Sequence, residues 1–358
     1  MNKTRFLLNW DFLIPVVVLV ILSLTTLLSI NPIFFRSQLF FLGVAFVAFL
    51  FFSQVNYQII RLYKTPIYIV SIILLMLILI VGIETRGSVR WIEVLGFRVQ
   101  FSEILKPFLA ISLSSYLSDH ESYSFKTIFA ICSFLFPLTA LIFFQPDLGN
   151  TIIYLGVTLM TLIIAGFPLR FFAFGFALTA LTFPVFWEFL HGYQKQRLLS
   201  FLNPADPLGS SYNAIQSIIA VGSGMFFGRG LGQGTQSQLR FLPERHTDFI
   251  FATISENLGF VSAILILLAF GYLLYKIYLA YVNSNDRFQS FFYIIAFSLF
   301  LFQFFINIGM NIGLLPIVGV TLPFVSYGGS SLLSNFILLG LITAMGRSGN
   351  SKSVLEIK

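Results

Sequence analysis

The residues best placed to do chemistry stand in one polar stretch, 240–251, which reads R-F-L-P-E-R-H-T-D-F-I-F. Asp248 lies near its end, and the chain then turns apolar for most of the run to Tyr275. A carboxylate there sits at the rim of a membrane helix, where solvent, lipid headgroups and protein meet. The chemistry it offers is proton transfer. A carboxylate at a helix start can also be a simple cap. Glu244, Arg245, His246 and Thr247 crowd the same rim, company that a cap does not need.

Four other groups of residues bear on the site. The first runs from Arg86 through Arg90, Trp91 and Arg98 to Gln100, Ser102, Glu103 and Lys106. Trp91 suits a headgroup-level anchor. Glu103 and Lys106, three apart, share a helix face. Helical spacing would put Arg98 at the rim and Lys106 about 12 Å deeper. Charges within a span are costly and face a cavity or a partner. The pair is either a self-neutralising strut or part of a polar slot for a diphosphate or sugar.

The second is Gln145-Pro146-Asp147-Leu148-Gly149, where Asp147 is expected to cap the next helix rather than act in chemistry. The third is the long segment 188–248. It holds Gln194, Lys195 and Arg197, turn residues at 203–209, a short interfacial helix over 212–220 with Gln216 and Ser217, and glycines at 222, 224, 228, 230, 232 and 234. Their spacing is not that of a dinucleotide loop, and no strand precedes them. Close backbone approach to a ligand or to another loop fits better. The fourth gathers Asn307, Asn311, Gly313, Pro316 and Gly319, then 323–331 with Ser326, Ser330 and Ser331. Its helix start could face an anion or pack through small residues.

The elements that position these residues follow from composition. The 358 residues are 57% hydrophobic and 10% charged, too oily for a soluble chain of this length. Ten apolar spans are expected: 12–30, 37–55, 67–83, 101–118, 127–144, 149–166, 169–187, 249–275, 289–313 and 328–346. The fold class is thus an all-α polytopic membrane protein, one integral membrane domain over 1–358. The large extracytoplasmic loop 188–248 falls between its seventh and eighth helices. The first apolar run is long and lacks a small-residue cleavage site, so it reads as a retained helix.

With the N-terminus inside, Lys and Arg fall inside at 3, 5, 61, 64, 126, 170, 276, 287, 347, 352 and 358, against 36, 86, 90 and 98 in the short outer loops. Both termini are therefore expected inside. The polar regions 84–100, 188–248 and 314–327 then share the outer face. No nucleotide is available there, so a reaction needs a substrate that carries its own activation. The net charge of +7 is spread along the chain and does not point to nucleic acid. One cysteine, Cys132, leaves no disulfide framework and no cysteine-based metal site, and three histidines argue against a histidine-rich metal centre.

Together these motifs resemble the SEDS family (shape, elongation, division and sporulation), its RodA branch more than its FtsW branch. The resemblance covers about residues 10–347. It rests on R-W-I followed by Q-F-S-E-I-L-K, Q-P-D-L-G, F-L-P-E-R-H-T-D-F-I-F, N-I-G-M-N-I-G-L-L-P and P-F-V-S-Y-G-G-S-S-L-L. One departure is Phe101, where the family usually has proline. The resemblance implies a peptidoglycan glycosyltransferase of the bacterial cytoplasmic membrane that polymerises lipid II for cell elongation. It implies Asp248 as the essential carboxylate, Arg98 and Lys106 as basic positions for lipid substrate, and importance for Trp91, Glu103, Gln194 and Arg197. Gln216 and Ser330 are added as candidate substrate contacts from the residue reading. A class B penicillin-binding protein is the implied partner. No cofactor is assigned, although Mg2+ or Mn2+ is implied as an aid. A lipid II flippase is the competing class. It should show mid-span polar residues in several helices and related halves, and only one such pair stands out.

Overall fold

The computed structural model describes residues 9–85, 88–94, 96–120, 125–203 and 211–352. The helices in chain order are α1 (Trp10–Ile30), α2 (Pro32–Gln54), α3 (Tyr57–Leu62), α4 (Lys64–Val81), α5 (Phe101–Ile104), α6 (Lys106–Ser118), α7 (Phe125–Phe144), α8 (Leu148–Ile164), α9 (Leu169–Phe189), α10 (Gly192–Leu202), α11 (Tyr212–Ser223), α12 (Thr235–Gln238), α13 (Ile250–Val282), α14 (Arg287–Asn311) and α15 (Gly329–Lys352). Among the described residues, eight helices are long and apolar enough to cross a membrane. The chain is a mostly helical, multi-pass membrane protein.

The sequence marks the helix starts. Asn9 accepts from Asp11 N at 3.2 Å to open α1. Asn31 accepts from Ile33 N at 2.9 Å to open α2, with Pro32 in its first turn. Asp286 accepts from Phe288 N at 2.8 Å to open α14. Each satisfies a donor that the first helical turn leaves without a partner. The largest core joins α1, α2, α6, α8, α13, α14 and α15. Helix α15 packs chiefly on α2, α13 on α1 and α14, and α14 on α6 and α8. By contrast, α9 buries none of its residues.

Three features depart from the expected layout. Region 84–100 is not a plain loop. It forms an antiparallel sheet of β1 (Ile83–Thr85), β2 (Ser88–Val94) and β3 (Phe97–Val99), so the fold is not wholly α. The fourth span is broken at Leu105 into α5 and α6, with Pro107 in the first turn of α6, and the sixth, α8, has only 17 residues. The eighth span is a 33-residue helix interrupted at Gly259, whose φ of 76° and ψ of −171° are non-helical.

The glycines of the long segment explain that interruption. A Cβ on Gly224 would stand 1.8 Å from Ser255 O, and one on Gly228 would stand 2.2 Å from Asn257 O. The close backbone approach expected of these glycines is thus made to α13 itself. The backbone of 225–230 pairs with residues 256–261 through Arg229 N to Glu256 O (2.9 Å), Gly230 N to Asn257 O (3.0 Å) and Phe260 N to Met225 O (2.8 Å).

Candidate active site

The turn carrying Asp248 is built by its neighbours. Thr247 N and Phe249 N both donate to Glu244 O, at 3.1 and 3.2 Å, and Thr247 Oγ1 donates to Glu244 Oε2 at 3.0 Å. Glu244 adopts φ 51°, a left-handed conformation that reverses the chain tightly. Helix α13 starts at Ile250 with Phe249 as N-cap and no side-chain cap bond. Asp248 therefore precedes the cap position. The first-turn donor Ala252 N is satisfied by Asn311 Oδ1 at 3.1 Å.

Two buried amides of α14 hold the Asp248 peptide. Asn307 Nδ2 and Asn311 Nδ2 each donate to Asp248 O at 3.0 Å, and both side chains are fully buried. Asn307 Nδ2 also donates to Val320 O at 2.7 Å. This joins the 318–320 segment to the acid's own backbone. The asparagines of the N-I-G-M-N-I-G run thus position Asp248.

A second set of bonds bolts the turn to 322–328. Ser326 Oγ donates to Thr247 O at 2.7 Å, and Tyr327 N donates to His246 O at 2.9 Å. The His246 ring stacks on Phe34 at 4.2 Å. Gln38 Nε2 of α2 donates to Ser326 O at 3.2 Å, and Ser23 Oγ of α1 donates to Val325 O at 2.6 Å. Four elements of the bundle therefore fix one turn, which suits a group that must be preorganised. Arg245, in the same turn, is pulled below the usual arginine range by burial and then by the nearby Arg240 charge.

The Asp248 side chain is half-buried. Gly319, at φ 75°, leaves room beside it. A Cβ there would stand 3.5 Å from Asp248 Oδ2 and 3.9 Å from Arg197 Nη1. The acid and the exposed guanidinium on α10 thus converge on one small space over Gly319. This pairing of an acid and a cation is the chemistry the site offers.

The other expected residues divide into two groups. Glu103 and Lys106 are both buried, and Lys106 Nζ donates to Glu103 Oε1 at 2.7 Å across the α5–α6 break. Lys106 is therefore a neutralised partner and not an open cation. Beside this pair lies a second buried cluster. Asp147 caps α8, accepting from Asn150 N at 3.2 Å, as expected. It also accepts from Gln100 Nε2 (2.7 Å) and Ser102 Oγ (3.1 Å), and lies 3.8 Å from Arg90 Nη1. Ser330, at the start of α15, is buried and accepts from Gln100 N at 3.0 Å, so it belongs to this cluster. Gly149, two residues after Asp147, packs on the backbone of Val318. The 318–320 segment links this cluster to the acid, packing on Gly149 at one end and bonding through Val320 O to Asn307 at the other.

Trp91 is half-buried on β2, with the Arg90 guanidinium 6.0 Å from its ring. Arg98 lies exposed on β3, opposite Glu93 in register. The 12 Å helical rise expected between Arg98 and Lys106 does not apply, because Arg98 is on a strand. Gln194 is buried in the capping box of α10, where its Oε1 accepts from His191 N at 2.9 Å. That contact is to the chain itself, not to the mouth of the site. Gln216 is half-buried on α11, which extends the expected 212–220 helix to Ser223. Arg86, Gly87 and the turn residues 204–209 lie outside the described residues.

Glu256 was missed by the sequence reading. It is fully buried and accepts from Gln236 N at 2.8 Å and Ser237 N at 2.9 Å, fastening α12 to α13. The polar pair Glu256-Asn257 shortly before Gly259, in an otherwise apolar run, was its signal. An apolar groove of about 580 Å³ runs between α1 and α13, lined by Ile14, Val18, Leu265 and Tyr272. The lining of this groove offers no charged group for chemistry.

Comparison with known proteins identifies the family. The profile of the FtsW/RodA/SpoVE family, described as cell cycle protein, matches residues 3–351. Stage V sporulation protein E of Bacillus subtilis is 37% identical over 327 residues, covering 88% of this chain and 87% of that protein. Peptidoglycan glycosyltransferase MrdB of Escherichia coli is 41% identical over 296 residues, covering 80% and 79%. Among solved structures, a chain of a peptidoglycan synthase complex that coordinates polymerization and crosslinking superposes with a TM-score of 0.83 at 26% identity, over 95% of this chain and 98% of that one. The rod shape determining protein RodA of Thermus thermophilus shares the fold, with a TM-score of 0.72 at 24% identity, over 95% and 96%. The match runs through nearly the whole chain, including the helices that hold Asp248, and by it this protein belongs to the FtsW/RodA/SpoVE family of cell cycle proteins.

Proposed function

We propose that this chain is a peptidoglycan glycosyltransferase that polymerises lipid II into β-1,4 glycan on the outer face of the bacterial cytoplasmic membrane, serving cell elongation. The observation that carries the reading is the convergence of Asp248 and Arg197 over Gly319, on a turn anchored by Asn307 and Asn311. The names of the relatives, peptidoglycan glycosyltransferase MrdB among them, support the reaction class.

The donor is a growing strand whose terminal sugar is joined through diphosphate to a polyprenyl tail. The acceptor is lipid II, attacking with its GlcNAc 4-hydroxyl. Asp248 takes the hydroxyl proton as the new C–O bond forms, a role worth ~10²–10⁴-fold in rate. The bond from the anomeric carbon to the diphosphate oxygen breaks, and the polyprenyl diphosphate leaves with the electron pair. One displacement inverts the anomeric carbon from α to β. Arg197 receives the developing phosphate charge, the electrostatic part of the catalysis. Arg98 is exposed and adds to the basic rim, whereas Lys106 acts through its pair with Glu103.

A divalent cation fits this site in one way. No group of three or more His, Cys, Asp or Glu converges among the described residues. Mg2+ is commonly held by one or two carboxylates together with substrate phosphates, and Asp248 would be the carboxylate here. Such an ion would supply charge neutralisation on the diphosphate. A class B penicillin-binding protein is the proposed transpeptidase partner, in keeping with the peptidoglycan synthase complex of polymerization and crosslinking, one chain of which this one resembles. Both termini are placed in the cytoplasm, as the Lys and Arg distribution favours.

Purified protein with lipid II, with and without a class B partner, tests the proposal. Asp248→Asn is expected to abolish glycan polymer while the protein remains monodisperse. Wild-type-like polymerisation by that variant would overturn the assignment. In sealed vesicles, movement of labelled lipid II without chain lengthening would favour the transporter reading instead.

A further inference from the structure

The long segment between α9 and α13 reads as an aqueous loop, yet its middle carries three large apolar side chains in the open. Met225, Phe226 and Phe227 are 79%, 68% and 84% exposed. Held in water, side chains of this kind forgo the free energy of apolar burial.

Their depth follows from α13. Lys276 Nζ pairs with Asp11 Oδ2 at 3.2 Å, next to the exposed Trp10, which marks one boundary of the hydrocarbon. From Lys276 back to Phe260 is about 24 Å of unbroken helix at 1.5 Å per residue, so a hydrocarbon core of ~30 Å extends about 6 Å beyond Phe260 to its far boundary. Helix α1 gives the same far boundary by a separate route. Gln238 Nε2 of α12 donates to Ser29 O at 2.8 Å, close to the other end of α1, and Glu256 holds the neighbouring amides of α12. The carbonyls of Met225 and Phe226 accept from Phe260 N and Val261 N at 2.8 and 3.2 Å. Those positions lie about 6–8 Å inside the far boundary at helical rise, and any tilt of α13 takes them deeper.

The backbone at this depth is satisfied. The break at Gly259 frees carbonyls of α13 at Glu256 and Asn257 and amides at Phe260 and Val261. Residues 225–230 supply their partners, and Gly228 N donates to Gly224 O at 2.8 Å. Irregular backbone persists at membrane depth only with such internal partners. The side chains continue an apolar band. The Phe226 ring meets Phe260 edge-on at 5.9 Å, and Phe260, Val261, Ile264, Leu265 and Leu268 stay exposed along α13.

We propose that residues 224–228 form a re-entrant apolar wedge, with Met225, Phe226 and Phe227 inserted among the acyl chains of the outer leaflet. The wedge fixes the depth of the α13 start, leaving Asp248 at headgroup level above it.

The test uses full-length protein in phosphatidylethanolamine/phosphatidylglycerol nanodiscs, with Cys132→Ala removing the single native cysteine. Nitroxide labels are placed at Phe227→Cys, at Met225→Cys as a second wedge site, and at Gln233→Cys as the aqueous control. Each protein is first checked to be monodisperse. At both wedge sites the label is expected to collide more with oxygen than with NiEDDA, giving a depth several ångströms below the phosphates, with the reverse order at Gln233. A preference for NiEDDA at both wedge sites would place them in water and overturn the proposal. An immobilised label shielded from both reagents would also overturn it, since a second copy or a partner protein would then cover the wedge.

Discussion

Asn311→Leu separates what holds Asp248 from what holds the bundle. The two side chains share the same branched heavy-atom skeleton, so the shape is kept although leucine is the bulkier. Among the bonds of the amide that leucine cannot make, two reach the site. Its Nδ2 anchors Asp248 O, and its Oδ1 satisfies Ala252 N, one of the first-turn donors of α13. Ala252 is fully buried, so water cannot replace the lost acceptor. A stranded buried donor costs ~1–3 kcal/mol. Asp248 O retains Asn307, so its loss is one anchor of two. Misplacing a reacting group by about 1 Å can cost ~10²-fold in rate, and lipid II polymerisation is expected to fall ~10- to 100-fold on the same basis. Asn307→Leu removes the other anchor and the tie to Val320 O but leaves Ala252 satisfied. Both variants should slow polymerisation, yet only Asn311→Leu should speed amide exchange in the first turn of α13. Full polymerase activity in Asn311→Leu, alongside faster exchange there, would show that the acid does not depend on this anchor.

Three further outcomes follow from the same contacts. Gly319→Ala puts a Cβ between Asp248 and Arg197 at a φ of 75°, a conformation that costs an L-residue ~1–2 kcal/mol; the polymerisation rate should fall more than the thermal midpoint. Glu103→Gln leaves Lys106 buried beside a neutral group, which for a buried pair costs ~3–5 kcal/mol. The double variant Glu103→Leu with Lys106→Met should recover stability, and its polymerase activity then tells a strut from a substrate slot. At the C-cap of α6, burial alone would raise the Asp119 carboxyl, but hydrogen bonds from Lys64 and Arg61 outweigh it and hold the group below its usual range. Such a group adds stability above its unfolded pKa of ~3.9 and loses it as pH falls through the lower folded value. Asp119→Asn should therefore cost under ~1 kcal/mol at neutral pH, as exposed pairs do, with wild-type and variant unfolding curves converging in acid.

Much of this architecture is written in periodicity and polarity. The apolar spans announce themselves because a bilayer demands long runs, and Asp147 could be read as a cap from its place before Leu148-Gly149. Asp248 stood out because it closes a polar stretch just before an apolar one. What stayed hidden depends on contacts between distant segments. Nothing local says that Asn307 and Asn311 reach the Asp248 carbonyl, because those bonds span 59 and 63 residues. Arg98 was placed on a helix because helical spacing was extended backward through a segment that instead pairs as β3 with β2. Gln194 looked available because a capping bond to His191 N leaves no mark in composition.

The break in α13 shows why the long segment resisted reading by hydropathy. A window over 250–282 sees one apolar helix, and a window over 222–234 sees glycines and therefore a loop. Neither window reports that the two are halves of one device. Gly259 turns the helix backbone out of register, and Gly224 and Gly228 let the other strand come close enough to take the freed groups. Each glycine satisfies a steric demand made by the other segment: a Cβ on Gly259 would stand 2.3 Å from Gly228 N, and one on Gly228 would stand 2.2 Å from Asn257 O. Such a pair is mutually dependent. Replacing either partner alone leaves the remaining strand with unpaired backbone at membrane depth, where each unsatisfied group costs several kcal/mol. The turn bearing Asp248 leads directly into the first arm of this broken helix, so the position of the acid rests on a backbone seam two to three turns below it.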